Sequence, residues 1–368
     1  MKNMVAPTRW DCASPRYKRR LRAGLSLLVA GALAGCSARG PLHNNGPGEM
    51  LPVVAPAAET EPVKRFGDAA DDPAILVAMN GVAWIAGTDK KFGLRIYDLE
   101  GKELHALATG RLNNVDAVAI GDSEFLLAAS NRTTISIDVY RADIASNSVE
   151  LLNAIALDYE EPYGLCMTAG EDGIEVFVGD KTGRVEQWSI DSGYAGTRIA
   201  EFAFDSQTEG CVFDADRRVL FVGEEERGIW AVDMQSGTKT LLDEIDAGRL
   251  TADVEGLDIY RDDERSLLLA SSQGDNSFVV YDLDSRRPLL RFRVGDNVQA
   301  RLDGVSETDG IAATNRALPG FDRGVLVVQD GRNTAPRARQ NFKIIDWRDI
   351  DALLPKQGAG EENLHESP

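Results

Sequence analysis

Short runs of alternating apolar and polar residues recur along most of the chain. In six segments a polar or acidic residue is followed by a small residue or proline, and then by alternating apolar positions. Alternation with a period of two is typical of strands that bury one face. The segments are DDPAILV (71–77), NVDAVAI (114–120), PYGLCMT (162–168), TEGCVFD (208–214), VEGLDIY (254–260) and TDGIAAT (308–314).

Each of these segments is followed by a second apolar run, a polar tip and a third run that ends near an aromatic residue, as in VLFVGEEERGIWAVD (219–233). The unit repeats about every 45 residues, a period typical of propeller blades. The pattern predicts an all-β, six-bladed β-propeller of four-stranded antiparallel blades over residues 63–354. The apolar EPVKRF (61–66) predicts an N-terminal strand that completes the last blade and closes the ring.

The first 35 residues predict an export signal. The basic cluster KRRLRAG (18–24) precedes a short apolar run and the sequence LAGC, which ends at Cys36. An ordinary signal or a single spanning helix are the alternatives, but the apolar run is short for a span. LAGC resembles the lipobox of bacterial lipoproteins, which implies a signal peptide at 1–35 and a lipid on Cys36. Because Ser37 and not Asp follows the cysteine, we expect an anchor in the outer membrane.

Residues 36–62 are rich in Pro, Gly and Ala and predict a flexible tether, and residues 355–368 predict a disordered tail. The formal net charge of -19 argues against a nucleic-acid partner. Nothing in the sequence indicates an oligomer, and we expect a monomer. Cys166 and Cys211 both lie in apolar runs, and the sequence leaves open whether they form a disulfide or remain free thiols.

The repeats also predict a metal site. The first strand of each propeller blade lines the central channel, so the residue that opens each repeat lies at one mouth of the channel. Five carboxylates in so small an area require a counter-ion, and calcium accepts many oxygen ligands. The chain's three histidines lie outside this region, which disfavours zinc. The opening residues are Asp72, Asp116, Tyr163, Glu209, Glu255 and Asp309.

The tips between the second and third strands lie at the same mouth and differ in charge. The tips of the first three repeats carry Lys90 and Lys91, Arg132, and Lys181, whereas those of the last three carry Glu224 and Glu225, Gln273, and Asp330. A basic arc opposite an acidic, metal-binding arc suits a ligand with several phosphates. In the triplet Glu224–Glu226 we therefore predict that the first two residues bind metal and that the third is solvated.

Eleven strings between Asp71 and Trp347 resemble the β-propeller phytases, which are calcium-dependent phosphatases of inositol hexakisphosphate (phytate). They include GTDKKFGLRIYDLEGKEL, GRLNNVD, AASNR, EPYGLC, QTEGC, EEERGIW, DVEGLDIY, LLASSQGDNSF and ETDGI. The resemblance implies several calcium ions at the channel mouth. It also implies that one site cleaves phosphate while a neighbouring site holds an adjacent phosphate.

The resemblance assigns roles to individual residues. It implies phosphate binding by Lys90, Lys91, Arg132, Tyr163 and Lys181, with Lys90, Tyr163, Lys181 and Glu209 closest to the chemistry. It implies calcium binding by Asp72, Asn113, Glu209, Glu225, Asp253, Glu255, Asp303 and Asp309. The family often has an acidic residue after the third-blade lysine, where this chain has Thr182, so one contact of the family could be missing here.

We expect direct hydrolysis, in which a calcium-activated water aligned by Glu209 attacks phosphorus while Lys and Arg neutralise the phosphoryl oxygens. The expected substrate is phytate or its calcium complex. A metal-dependent propeller lactonase is one alternative, although it would not need three basic tips. A non-catalytic binding propeller is the other.

Overall fold

The computed structural model describes residues 50–170, 173–245 and 247–356. The described part of the chain forms six sheets, built from consecutive antiparallel strands apart from one N-terminal strand added to each of the last two blades. The innermost strands of neighbouring sheets pack against one another around a central channel, and the first contacts the last. The predicted six-bladed β-propeller is therefore confirmed.

The strand bounds are as follows. Two short strands, β1 (Val53–Val54) and β2 (Ala58–Glu59), precede the first blade. Blade 1 contains β3 (Ala70–Val77), β4 (Ala83–Asp89), β5 (Gly93–Asp98) and β6 (Glu103–Leu107). Blade 2 contains β7 (Leu112–Ala119), β8 (Glu124–Asn131), β9 (Ser136–Asp143) and β10 (Ser148–Ala156). Blade 3 contains β11 (Pro162–Gly170), β12 (Gly173–Asp180), β13 (Arg184–Ile190) and β14 (Gly196–Ala203).

The second half follows the same plan. Blade 4 contains β15 (Thr208–Asp214), β16 (Val219–Glu224), β17 (Gly228–Asp233) and β18 (Lys239–Glu244). Blade 5 contains β19 (Val254–Arg261), β20 (Ser266–Ser272), β21 (Ser277–Asp282) and β22 (Arg287–Val294). Blade 6 contains β23 (Ile311–Thr314), β24 (Val325–Asp330) and β25 (Asn341–Asp346), followed by the helix α1 (Trp347–Asp351).

The N-terminal segment closes the ring. Strand β2 pairs antiparallel with β25 and is the fourth strand of blade 6, just before the predicted segment 61–66. Strand β1 pairs parallel with β22 and adds a fifth strand to blade 5. The predicted tether 36–62 is therefore too long, because the outer strands of blades 5 and 6 offer unpaired edges that bind the chain from Val53 onward.

The hydrophobic core lies between adjacent blades. Between blades 1 and 2, for example, Leu76 and Leu94 pack with Leu127, and all three side chains are fully buried. Apolar residues on both faces of the middle strands explain why these strands read as short apolar runs. The blades together form a rigid frame for the residues at the channel mouth.

The structure resolves the question that the sequence left open about the cysteines. Cys166 on β11 and Cys211 on β15 form a disulfide, with Cα atoms 5.6 Å apart. The bond joins the innermost strands of blades 3 and 4, close to the channel mouth.

Several predictions concern residues outside the described ranges. These are the signal at 1–35, the lipidated Cys36, the tether as far as residue 49 and the tail from residue 357. Within the described ranges, no helix has the length and apolar character that crossing a bilayer requires.

Candidate active site

A β-bulge near the start of the inner strand positions the mouth residues. In blade 1, Ala70 pairs with Asp89 and Pro73 with Gly87, so two residues of β3 lie opposite the single Thr88 of β4. The same shift occurs in β7, β11, β15 and β19. Bulges redirect side chains and are common beside active sites. The first residue of each bulge and the equivalent residue of blade 6 form the mouth, which consists of Asp71, Asn113, Tyr163, Glu209, Glu255 and Asp309.

This register corrects two predicted mouth residues. Asp72 is the second residue of its bulge, and its Oδ2 accepts a hydrogen bond from the Val115 amide at 3.0 Å. Asp116 lies beyond the bulge of β7 and accepts from the Met167 amide at 2.8 Å. Both carboxylates line the channel below the mouth. The prediction failed because blades 1 and 2 have Asp72 and Asn114 at the second bulge position, where blades 3 to 5 have glycine.

Glycine at the second bulge position lets neighbouring inner strands approach closely. A Cβ on Gly164 would lie 1.9 Å from the carbonyl oxygen of Glu209, and one on Gly210 would lie 1.9 Å from that of Glu255. Real Cβ atoms do not tolerate such distances. The PYG, TEG and VEG sequences therefore bring Tyr163, Glu209 and Glu255 together.

Three glutamates converge on one side of the mouth. Glu209, Glu225 and Glu255 each offer a carboxylate oxygen, and the three oxygens lie within 4.8 Å of one another. Burial, followed by the charge of Glu209, raises the pKa of Glu225 to about 8. Burial and Glu209 likewise raise the pKa of Glu255 well above its ordinary value. The cluster therefore retains protons near neutral pH unless a cation compensates its charge.

Buried oxygens without partners mark the same region. Oδ2 of Asp71, Oε2 of Glu255 and Oδ1 of Asn113 are buried and have no hydrogen-bond partner, and Oδ1 of Asp71 has only an ion-pair contact with Lys90 at 3.3 Å. An unpaired buried acceptor is costly, and a group of them indicates a missing ligand. All of these side chains offer oxygen atoms, which are the ligands that calcium prefers. The residues present therefore fit a calcium site.

Lys90 lies inside the acidic group. Its Nζ is 2.8 Å from Asp309 Oδ2, 2.9 Å from Asp68 and 3.3 Å from Asp71. Burial lowers the pKa of Lys90, but Asp71 and Asp309 more than offset this effect, so the pKa lies well above its ordinary value. Lys90 is thus a permanent positive charge within the mouth.

A second group of cations surrounds Tyr163. The guanidinium of Arg132 lies 5.5 Å from the centre of the Tyr163 ring, and the ammonium of Lys181 lies 4.7 Å from it. Cation–π attraction holds both side chains beside the ring. Burial and neighbouring carboxylates, chiefly Glu209, raise the pKa of Tyr163 well above its ordinary value, so its hydroxyl stays protonated.

One open cavity of about 280 Å³ adjoins both groups. Its lining includes Lys90 and Asp309 from the acidic side and Tyr163 from the basic side, with Glu209 and Glu255. A polyanion in this cavity could contact cationic side chains and metal-binding carboxylates at the same time.

Glu224, predicted as a metal ligand, is not at the mouth. Its side chain is buried; Oε1 accepts from the amide and the hydroxyl of Ser206, at 2.7 and 2.8 Å, and Oε2 accepts from the Trp230 indole at 2.7 Å. Successive residues of a strand face opposite sides. Glu224 therefore supports the blade, whereas Glu225 joins the mouth cluster and Glu226 is exposed.

Asp303, also predicted as a metal ligand, forms hydrogen bonds with other residues of the protein. Its carboxylate accepts a hydrogen bond from the ammonium of Lys343 at 2.6 Å, and the hydroxyl and amide of Thr334 donate to its other oxygen. The fully buried Lys343 supplies the positive charge that a metal ion would otherwise provide. In this structure Asp303 therefore belongs to a buried ion pair and does not join the carboxylates of the mouth. Asp330, predicted at an acidic tip, is buried near the same lysine.

The two remaining predicted residues lie at the edge of the site. The ammonium of Lys91 donates to the backbone oxygen of Phe66 at 2.6 Å. Asp253 is partly buried, and burial followed by the charges of Glu226 and Glu209 raises its pKa. The predicted basic arc is therefore divided, with Lys90 among the carboxylates and Arg132 and Lys181 around Tyr163.

Sequence reasoning missed four residues near the site: Asp68, Asp71, Arg111 and Glu161. Asp71 could have been found, because it precedes Asp72 in the same repeat. Arg111 and Glu161 could not, because nothing in the sequence indicates that Glu161 pairs with Arg111, which follows β6, and with Lys181 in the tip of its own blade.

The comparisons with known proteins agree with this geometry. Residues 22–364 match the family model described as Phytase. The chain is 35% identical over 323 residues to a 3-phytase of Bacillus subtilis (strain 168), a match that covers 81% of this chain and 84% of the relative. On this evidence the chain belongs to the phytase family.

Proposed function

We propose that this protein is a calcium-dependent phosphatase that removes phosphate from phytate at the mouth of its propeller. The observation that carries the proposal is one cavity lined by Glu209 and Glu255 of the acidic cluster and by Tyr163, whose ring also contacts Arg132 and Lys181. Family membership makes the chain a phosphomonoester hydrolase, and the curated relative is a 3-phytase.

Asp71, Asn113, Glu209, Glu225 and Glu255 would hold calcium, because they supply the clustered and unpartnered oxygens. Bound calcium supplies positive charge that polarises phosphoryl oxygens and lowers the pKa of water. Asp253, which is partly exposed beside Glu209 and Glu226, would be a further ligand at the rim of this group. Asp309 already accepts hydrogen bonds from Lys90 and Gln273 on its two oxygens, so it lies at the edge of the proposed calcium-binding group.

The protein's own residues orient the reactants. The amide of Asn113 donates to Glu209 at 2.7 Å, which fixes this carboxylate beside the cavity, where it would align the attacking water and accept its proton. The protonated hydroxyl of Tyr163 would donate to a phosphate oxygen. Arg132 and Lys181 would neutralise the charge that develops on the equatorial oxygens during in-line attack.

The two alternative functions fit this site less well. A propeller lactonase has no use for Arg132 and Lys181, which are both held on the Tyr163 ring beside the cavity. A purely binding propeller has no use for three converging carboxylates whose pKa values are raised by burial and mutual repulsion.

We further propose that the protein is exported and lipid-anchored through Cys36 at the bacterial outer membrane. This proposal rests on the basic, apolar and LAGC pattern of the first 36 residues. Radiolabelled palmitate incorporated into the wild type and absent from a Cys36→Ala variant would support it, whereas equal labelling would contradict it.

The function is tested by phosphate release from phytate, with calcium and with a chelator, for the wild type and for Lys181→Ala. We expect release only with calcium, and a kcat/KM about 100-fold lower in the variant, the value of one or two lost charge-assisted hydrogen bonds. The control is Lys102→Ala, which removes an exposed lysine from the turn after β5. Release that persists with chelator, or an unaffected Lys181→Ala enzyme, would contradict the proposal.

A further inference from the structure

A carboxylate of the protein itself lies among the cations around Tyr163. Oε1 of Glu161 is 3.2 Å from Nη2 of Arg111, 3.6 Å from Nη1 of Arg132 and 3.7 Å from Nζ of Lys181. Three positive side chains, one following β6 and the others in the tips of blades 2 and 3, therefore converge on a single anionic oxygen.

Glu161 is the shared ion-pair partner of the three cations. Among the described residues, Glu161 is the only carboxylate within ion-pair distance of Arg111, Arg132 or Lys181. The Nε of Arg132 is buried and has no hydrogen-bond partner. The cations thus retain donors that a second anion could use.

The position of Glu161 also allows exchange. Its side chain is 30% exposed, and those of Arg111 and Lys181 are 55% and 42% exposed. A carboxylate with this exposure is not a fixed structural ion pair of the kind that Asp303 and Lys343 form. It can turn toward solvent while the Tyr163 ring continues to hold Arg132 and Lys181.

We propose that Glu161 occupies the position of a substrate phosphate oxygen in the empty enzyme and competes with phosphate for Arg111, Arg132 and Lys181. Substrate binding then requires displacement of the carboxylate. Its return after cleavage helps to expel inorganic phosphate. Arg111 becomes a third cation of this phosphate subsite. The inference rests on the proposed function only in naming the anion as a phosphate of the substrate.

Competition has a definite consequence for affinity. An anion that enters beside a charged Glu161 meets both its repulsion and cations that are already paired. A neutral side chain of the same shape removes both effects. We therefore expect Glu161→Gln to bind inorganic phosphate about tenfold more tightly than the wild type, with KM for phytate lowered and inhibition by released phosphate strengthened.

The test is calorimetric titration of the full-length chain with inorganic phosphate, together with product-inhibition kinetics. Glu160→Gln is the matched control, because it removes the same charge from the adjacent, exposed residue and should leave phosphate affinity within about twofold. Glu161→Asp retains the charge and should stay close to the wild type.

Unchanged or weaker phosphate binding in Glu161→Gln would overturn the inference, because it would make Glu161 a bystander or a positioning residue for the cations. An equal gain in Glu160→Gln would also overturn it, since general charge would then be the cause. Phosphate binding is measured without turnover. The inference can therefore fail while phytate hydrolysis is intact, and it can hold if another phosphomonoester is the substrate.

Discussion

At the scale of single residues, Glu224 and Glu225 show how two neighbours with the same side chain differ in chemistry. Glu224 lies on the core side of β16 and is saturated by hydrogen bonds from Ser206 and Trp230. Glu225 lies on the mouth side near Glu209, where burial and repulsion raise its pKa to about 8. A run of like charges in the sequence thus divides into a structural acceptor and a member of the metal cluster.

This division predicts the effect of Glu224→Gln. The substitution replaces an acceptor oxygen with an NH₂ group that faces existing donors, so we expect the free energy of unfolding to fall by about 1–3 kcal/mol. Because Glu224 does not reach the mouth, the calcium concentration for half-maximal activity should not change. Urea unfolding and a calcium titration check both parts, and a raised calcium requirement would return Glu224 to the list of ligands.

At the scale of elements, repeated alternation predicted the blade strands and the number of blades, and a closing N-terminal strand was expected at 61–66 but lies slightly earlier, at Ala58–Glu59. The sequence could not locate the bulges, which depend on hydrogen-bond register between β3 and β4 and not on side-chain type. Asp71 was therefore missed in favour of Asp72. Contacts between blades, such as that of Arg111 with Glu161, were equally invisible because they join distant parts of the chain.

The disulfide is the covalent link between elements. Cys166 and Cys211 are 45 residues apart in sequence and join β11 to β15, the strands that carry Tyr163 and Glu209. A loop of this length implies that removal of the bond lowers the free energy of unfolding by about 4 kcal/mol in the chain-entropy model.

Urea unfolding of the wild type, with and without a reductant, and of the Cys166→Ala/Cys211→Ala variant measures this contribution. We expect the reductant to destabilise the wild type and to leave the variant unchanged. Equal stability of all three samples would show that the bond contributes nothing to the fold.

At the scale of the whole molecule, the closed ring gathers acidic groups from several blades in a chain that is already strongly acidic. Such a protein repels a free polyanion at long range. Under the proposed function, arrival of the substrate as a calcium complex would remove this repulsion, so calcium would act in both binding and hydrolysis.

The buried acids predict an unusual dependence of stability on pH. Burial raises the pKa values of Glu225 to about 8, Asp258 to about 7 and Asp309 to about 6. A raised folded-state pKa contributes stability below the unfolded value, and this contribution is lost as pH rises through the folded value. The pKa values of Asp214 and Asp303 are lowered from 3.8, so these two carboxylates change protonation only in more acidic solution and do not affect stability between pH 5 and pH 8.

We therefore expect the metal-free protein to lose stability between pH 5 and pH 8, with a melting temperature lower by at least about 2 °C at pH 8. Calcium binds the deprotonated carboxylates, so it should restore more stability at pH 8 than at pH 5. Thermal unfolding with chelator and with calcium at both pH values is the measurement. A metal-free protein that is more stable at pH 8 would contradict this electrostatic account.

The most direct test of the account is the calcium dependence of phosphate release from phytate by the wild type, Glu225→Gln and Glu226→Gln. The two variants remove the same charge at adjacent positions, but Glu225 belongs to the mouth cluster and Glu226 is exposed. We predict that Glu225→Gln needs at least about tenfold more calcium for half-maximal activity, whereas Glu226→Gln, which acts only through its exposed charge near Asp253, stays within about twofold of the wild type. Equal calcium requirements in all three enzymes would contradict the assignment of the mouth as the metal centre.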